Sequence, residues 1–242
     1  YTEHLMGNLG FTGLSSLVYT IRRPTAVLRT STRRGVGWEE VPDRTLRRRH
    51  LRTHRLPPAG PSPVLDRTPL LYNADVAISI ARPAADDEFF YRNAMGDEIV
   101  YVTEGKGVLE SQMGDLAIRS GDHVVVPRGI FHRYRFEGEA ILLVIESRGH
   151  VRTPSRYRNQ HGQLMEHAPF CERDIRRPES LPVHDEEGEF TIVVKKGDAF
   201  HDVVMSHHPR DAVGWDGYYY PWALNIEDFE PIMGRIHQPP PV

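Results

Sequence analysis

From residue 98 onward apolar and polar positions alternate with a period of two, through EIVYVTE, GVLESQM, LAIRS, HVVVP, FHRYRF and AILLVIES. That period puts successive side chains on opposite faces of a strand. Glycines punctuate the runs at Gly105 and Gly107, Gly114, Gly121, Gly129 and Gly138, so the spacing predicts six short strands joined by tight turns. A meander of this kind hides its edges only by closing on itself or by pairing with a second sheet, which predicts an all-β jelly-roll barrel over 71–150.

The flanks are also mostly β. Ahead of the barrel, over 1–70, lie the strand-like LVYTIRR, an arginine-rich span that includes Arg47, Arg48, Arg49, Arg52 and Arg55, and PPAGPSPVLDRTP. The last of these, with five prolines, reads as a surface connection or extended arm. Beyond the barrel, over 151–242, TIVVKKG and FHDVVMSHH predict two more strands. An aromatic GWDGYYYPWALN and a short helical candidate, IEDFEPIM, follow.

Composition narrows the function classes. The 242 residues suffice for a core of their own, and 30 Lys+Arg against 33 Asp+Glu give a net charge of -3. So balanced a chain is no dedicated nucleic-acid binder, and the arginine span is read as a solvated or subunit-facing strand. A small-molecule partner is the expectation. No apolar run reaches the roughly 18 residues of a membrane span. One cysteine, Cys171, excludes an internal disulfide and suits a reducing compartment, so the cytoplasm is expected. The chain opens on Tyr1 and closes on HQPPPV, and both ends look cut from something longer.

Two patterns carry chemistry. Gly121, Pro127, Gly129 and His132 match four of five positions of the cupin fingerprint G-x5-P-x-G-x2-H-x3-N, and Phe136 stands where that pattern has asparagine. The glycines and proline shape the strand ends so that His132 is aimed into the barrel. The companion fingerprint keeps Glu98 and Gly105, but its two histidines would fall within YRNAMG, where there are none. A non-haem Fe(II) site needs about three protein ligands, and Glu98 with His132 supply two. Two readings stay open: a structural barrel retaining polar residues, or a weak metal site that borrows a ligand. The other histidines lack chelating spacing, since His207 and His208 are adjacent and His50 and His54 stand among arginines. No GxSxG, P-loop or HExxH is present.

GFTGLSSLVY, EFFYRNAMGDE, AVGWDGYYYPWALNIEDF and GRIHQPPPV, in that order and running nearly end to end, resemble the homogentisate 1,2-dioxygenase family. The resemblance implies two cupin-like halves, with the amino-terminal barrel having lost its metal. The carboxy-terminal one, absent here, would hold Fe(II) with two histidines and a glutamate. There the iron binds homogentisate through hydroxyl and carboxylate oxygens, activates O2 and opens the ring to give maleylacetoacetate in tyrosine and phenylalanine breakdown. The resemblance also implies a homo-oligomer of trimers, no metal bound by this chain itself, and His237 as a stand-in for the family's base. The bland alternative for His237 is a histidine packed beside a polyproline turn. Two rival functions remain. One is a non-catalytic cupin module binding a small acid or partner chain at a mouth lined by Glu98, His132, Arg133 and Arg135. The other is a cupin isomerase or other metal enzyme using Glu98, His132 and an unconventional third ligand.

Overall fold

Two seven-stranded sheets and one three-stranded sheet make up a computed structural model that describes residues 1–228 apart from 43, 44, 46, 160–162, 166, 167 and 169. Ahead of the meander come β1 (Thr2–Leu9), β2 (Thr12–Thr20), β3 (Val27–Gly35), β4 (Thr68–Tyr72), β5 (Val76–Ala81) and β6 (Phe90–Asn93). The meander itself is β7 (Asp97–Glu104), β8 (Lys106–Ser111), β9 (Gly114–Arg119), β10 (Asp122–Val126), β11 (His132–Phe136) and β12 (Ile141–Ser147). These are the six strands that the alternation predicts. After them follow β13 (Ile175–Arg176), β14 (Glu187–Lys196), β15 (Ala199–His207), β16 (Ala212–Gly217) and β17 (Trp222–Asn225).

One large sheet has the order β13-β17-β10-β7-β12-β5-β4 and the other β3-β15-β14-β6-β11-β8-β9. The meander therefore crosses between sheets at every step except β8 to β9, which pair as a hairpin, and the two faces enclose one core as in a jelly roll. Register decides which residues fill it. Val144 lies opposite Val100, which lies opposite Val124, and all three are fully buried. Each such side chain contributes roughly 1.5–3 kcal/mol of burial. Strands β14 and β15 widen one sheet and β17 the other, so segments well beyond the meander share its walls. The small sheet, β1-β2-β16, packs on this body through Val18 and Ala212.

The fingerprint residues have clear backbone reasons. Gly121 and Gly129 sit at φ of 87° and 81°, left-handed conformations that side chains resist, and they bracket β10 and the turn into β11. On β11 the period of two sends His132, Tyr134 and Phe136 inward. The His132 ring meets Tyr91 edge-on at 5.4 Å and Tyr134 at 5.4 Å, while Phe136 stacks on Tyr134 at 5.6 Å. Phe136, in the place of the fingerprint's asparagine, thus extends an aromatic filling of the barrel.

Three expectations are revised. The arginine span forms no strand: among its described residues only Thr53–Arg55 is regular, a single 3-10 turn, because five arginines leave no apolar face to bury. The proline-rich segment is not a surface arm throughout, since Ser62, Pro63 and Val64 are buried. Of IEDFEPIM, Ile226–Asp228 forms one 3-10 turn and the rest lies outside the described residues.

His132 makes the core sensitive to pH. It is fully buried, its Nδ1 lies 3.2 Å from the Ile130 carbonyl and its Nε2 has no partner. Burial, against the pull of Glu98, holds its pKa down at about 4. Below about pH 6.5 the unfolded chain gains a proton that the folded one refuses, so stability falls as pH drops toward 4 and the loss levels off below it. At about 1.4 kcal/mol per unit the full loss is on the order of 3 kcal/mol. Urea unfolding at pH 7.5 and pH 5 is expected to show this decline, and His132→Phe should reduce it. An equal decline in both proteins would assign the effect elsewhere, His208 being another imidazole that burial holds near 4.

Candidate functional site

The antiparallel register of β7 and β12 places Glu98 directly opposite Glu146 on the inward face, with both side chains buried. Two carboxylates so placed repel each other and lose their hydration. Two buried cations answer them. Arg67 donates from Nη2 to Glu98 Oε2 at 2.9 Å and from Nη1 to Glu146 Oε1 at 3.3 Å, and Lys195 Nζ donates to Glu146 Oε2. Asn93 Nδ2 bridges Glu98 Oε1 at 2.9 Å and Glu146 Oε2 at 3.0 Å, and the Tyr91 hydroxyl donates to Glu98 Oε1 at 2.8 Å. The four charges sum to zero, and every carboxylate oxygen accepts at least one hydrogen bond.

Electrostatics follow from this arrangement. Burial alone would raise the Glu98 pKa, but the charge and hydrogen bond of Arg67, then His132 and Asn93, bring it well below the usual carboxylate range. Burial and the nearby Glu98 and Glu146 charges drive the Tyr91 phenol well above its ordinary value, so it stays a donor. Glu98 is therefore an anion at neutral pH and His132 a neutral imidazole.

The supports of the network come from distant segments. Ser62 nucleates a turn, its hydroxyl accepting from Leu65 N at 3.0 Å and donating to Asp87 at 2.9 Å, while Asp66 accepts from Ser62 N at 3.0 Å. Arg67 Nε then donates to the Pro63 carbonyl at 3.0 Å, which fixes the direction of the guanidinium. Lys195 arrives on β14, which runs parallel to β6 with Lys195 opposite Asn93, and its ammonium lies 4.6 Å from the centre of the Trp38 ring. Outside this floor lies a cavity of about 460 Å³ whose wall includes Trp38, Val76, Met95, Glu146 and Lys195.

These residues do not suit a metal. Both Glu98 oxygens are engaged, one of them by a guanidinium that already supplies the positive charge, and a second cation would have to expel it. His132 has a free Nε2, yet with Glu98 committed it has no second ligand beside it. Among the described residues the one cluster of three potential ligands is elsewhere, at His184, Glu186 and His208. There His208 Nδ1 accepts from Arg210 N at 3.1 Å, so the neutral ring keeps its proton on Nε2 and has no lone pair to give.

Other sequence candidates fall as follows. Arg133 and Arg135 do not line the mouth: alternation turns them outward, to Glu110 at 2.6 Å and Asp86 at 3.3 Å. His207 stands 3.7 Å from Asp211. His237 lies outside the described residues. Arg67, Glu146 and Lys195 went unnoticed in the sequence, where VLDRTP reads as a turn and IVVKKG as a strand with a wet end.

Comparison with known proteins adds the lineage. The family model described as homogentisate 1,2-dioxygenase, N-terminal, matches residues 71–226. The protein named Putative dioxygenase SSO1533 of Saccharolobus solfataricus is 37% identical over 98% of this chain and 62% of its own length. Homogentisate 1,2-dioxygenase of Rhodopseudomonas palustris strain BisB5 is 28% identical over 67% of this chain and 36% of its own length. The chain thus spans less than two thirds of the first relative and about a third of the second. Among solved structures, a cupin-2 domain protein from Shewanella frigidimarina aligns with 34% of this chain and 79% of its own at 18% identity and a TM-score of 0.31. With the match running over well more than half of the chain, through the meander and β14–β17, the chain belongs to the homogentisate 1,2-dioxygenase amino-terminal family.

Proposed function

We propose that this chain is the metal-free scaffold portion of an Fe(II)-dependent dioxygenase that opens the ring of homogentisate with O2 to give maleylacetoacetate. The observation that supports this reading most directly is the pairing of a family match over 71–226 with a barrel whose ligand position holds Arg67 in place of a cation site. Iron, when bound, would supply Lewis acidity and a redox centre for oxygen. On this reading it is held by residues other than those described here. The part of the described residues is structural: the neutral quartet Arg67, Glu98, Glu146 and Lys195 keeps the barrel closed without an exchangeable ion. The reading also includes a homo-oligomer in the cytoplasm, as the resemblance implies.

Two measurements test it. Full-length protein reconstituted anaerobically with Fe(II) is expected to take up one O2 per homogentisate and none with gentisate. Uptake with gentisate alone overturns the substrate, and uptake with neither overturns the reaction. His132→Ala in the same protein should leave the iron stoichiometry unchanged, whereas loss of iron would make the barrel a metal site after all.

The network itself is tested by stability. Arg67→Met leaves Glu98 without its guanidinium and should cost about 3–5 kcal/mol in urea unfolding. Arg67→Met combined with Glu98→Gln removes the stranded charge and should recover part of that loss. A single variant as stable as the parent would show that the quartet does not hold the barrel.

A further inference from the structure

The aromatic run singled out in the sequence, GWDGYYYPWALN, has no part in the charge network, and it borders a second cavity of about 500 Å³. Its lining includes Tyr218, Tyr219, Tyr220 and Trp222, and residues from the tip of the β1–β2 hairpin between Asn8 and Ser15. The aromatic lining is held firmly. Tyr219 donates its hydroxyl to the Arg128 carbonyl at 2.5 Å and its backbone N–H to Ser16 Oγ at 2.8 Å, and the Tyr220 ring leans on Trp215 at 5.2 Å. Tyr218 is more than half exposed, with open ring surface.

The lining charge is one-sided. Arg152, Arg158 and His150 contribute basic groups, and the only carboxylate among the lining residues is Asp97. Asp97 is buried and spoken for: Oδ1 accepts from Arg128 N at 3.0 Å and Oδ2 from Val151 N at 2.8 Å. Arg158 is paired with Glu172 at 3.4 Å. Arg152 is exposed and makes no ion pair among the described residues, while His150 Nδ1 lies 4.0 Å from Asp97 Oδ2. Stacking surfaces beside an uncommitted guanidinium suit a planar ring that carries a carboxylate. The volume falls in the usual range for a small-ligand pocket.

We infer that this cavity binds a small aromatic monocarboxylate, with the ring against Tyr218 and Trp222 and the carboxylate on Arg152. The inference deepens the reading above, because it gives the scaffold portion a binding site for the same chemical class as the proposed substrate. Arg152 and Tyr218 bind here and take no part in ring opening.

The test is calorimetric titration of iron-free full-length protein with 4-hydroxyphenylacetate, which lacks the second ring hydroxyl. One site is expected, with Arg152→Ala weakening it about tenfold, Arg152→Lys weakening it less, and Tyr218→Ala weakening it severalfold. Both side chains are exposed, so the variants should melt like the parent. Cyclohexylacetate, with no aromatic ring, and benzyl alcohol, with no charge, should bind more weakly than the aromatic acid. Absence of binding, or equal affinity in Arg152→Ala, overturns the site but leaves the oxygen-uptake result standing. Binding that persists in a protein showing no oxygen uptake overturns the dioxygenase reading and leaves this pocket in place.

Discussion

Two carboxylates facing each other across a β-ladder inside a core set the terms for the rest of this structure. Glu98 and Glu146 cannot separate, because the register of β7 and β12 that opposes them also opposes Val100 to Val144 and Leu142 to Val102. Slipping the register by one residue would turn the whole apolar row outward. The barrel must therefore accommodate the pair. It does so with two cations and two neutral donors drawn from three parts of the chain: Arg67 from the turn within the proline-rich segment, Lys195 from β14, and Tyr91 and Asn93 from β6.

That recruitment explains the company the meander keeps. A six-strand barrel alone would bury the acids with nothing to neutralise them. Bringing in Arg67 requires the Ser62 turn and its tie to Asp87, and bringing in Lys195 requires β14 beside β6, with β15 and β3 following as neighbours in the same sheet. Segments on either side of the barrel thus acquire an electrostatic reason to be part of it. A buried ion network of this kind is weak evidence for net stability and stronger evidence for a specific arrangement, since any other placement of the four charges leaves one unpaired.

Local periodicity made much of the fold legible and little of the network. The six meander strands, the inward aim of His132 and the turns at Gly121 and Gly129 all follow from patterns within a few residues. Arg67 sits in a stretch whose prolines and aspartate signal a turn and nothing more. Lys195 occupies the penultimate place of a strand where lysines commonly meet water, and Glu146 looks like the polar end of AILLVIES. Their partners lie 31, 49 and 79 residues away, beyond anything a local pattern records. The motif that was visible, Glu98 with His132, has part of the outline of a metal site, and the missing histidines in YRNAMG together with the position of Arg67 distinguish the two. The same limit applies to the aromatic run, whose tyrosines were visible but whose basic neighbour Arg152 belongs to a different loop.

A guanidinium and a metal ion answer the same electrostatic demand with opposite consequences. Each gives a buried carboxylate a positive partner, but a metal keeps coordination positions that a substrate can enter, whereas a guanidinium ends in N–H groups that only donate. With Arg67 on Glu98 and over the Tyr91 ring, the pair needs no path for substrate, and His132 packs edge-on against Tyr91 and Tyr134 with its Nε2 unpartnered. At the rim, by contrast, polar groups meet cavities. One such cavity is floored by Lys195 and Glu146 and another is walled by the tyrosines, both outside the network that the guanidinium closes.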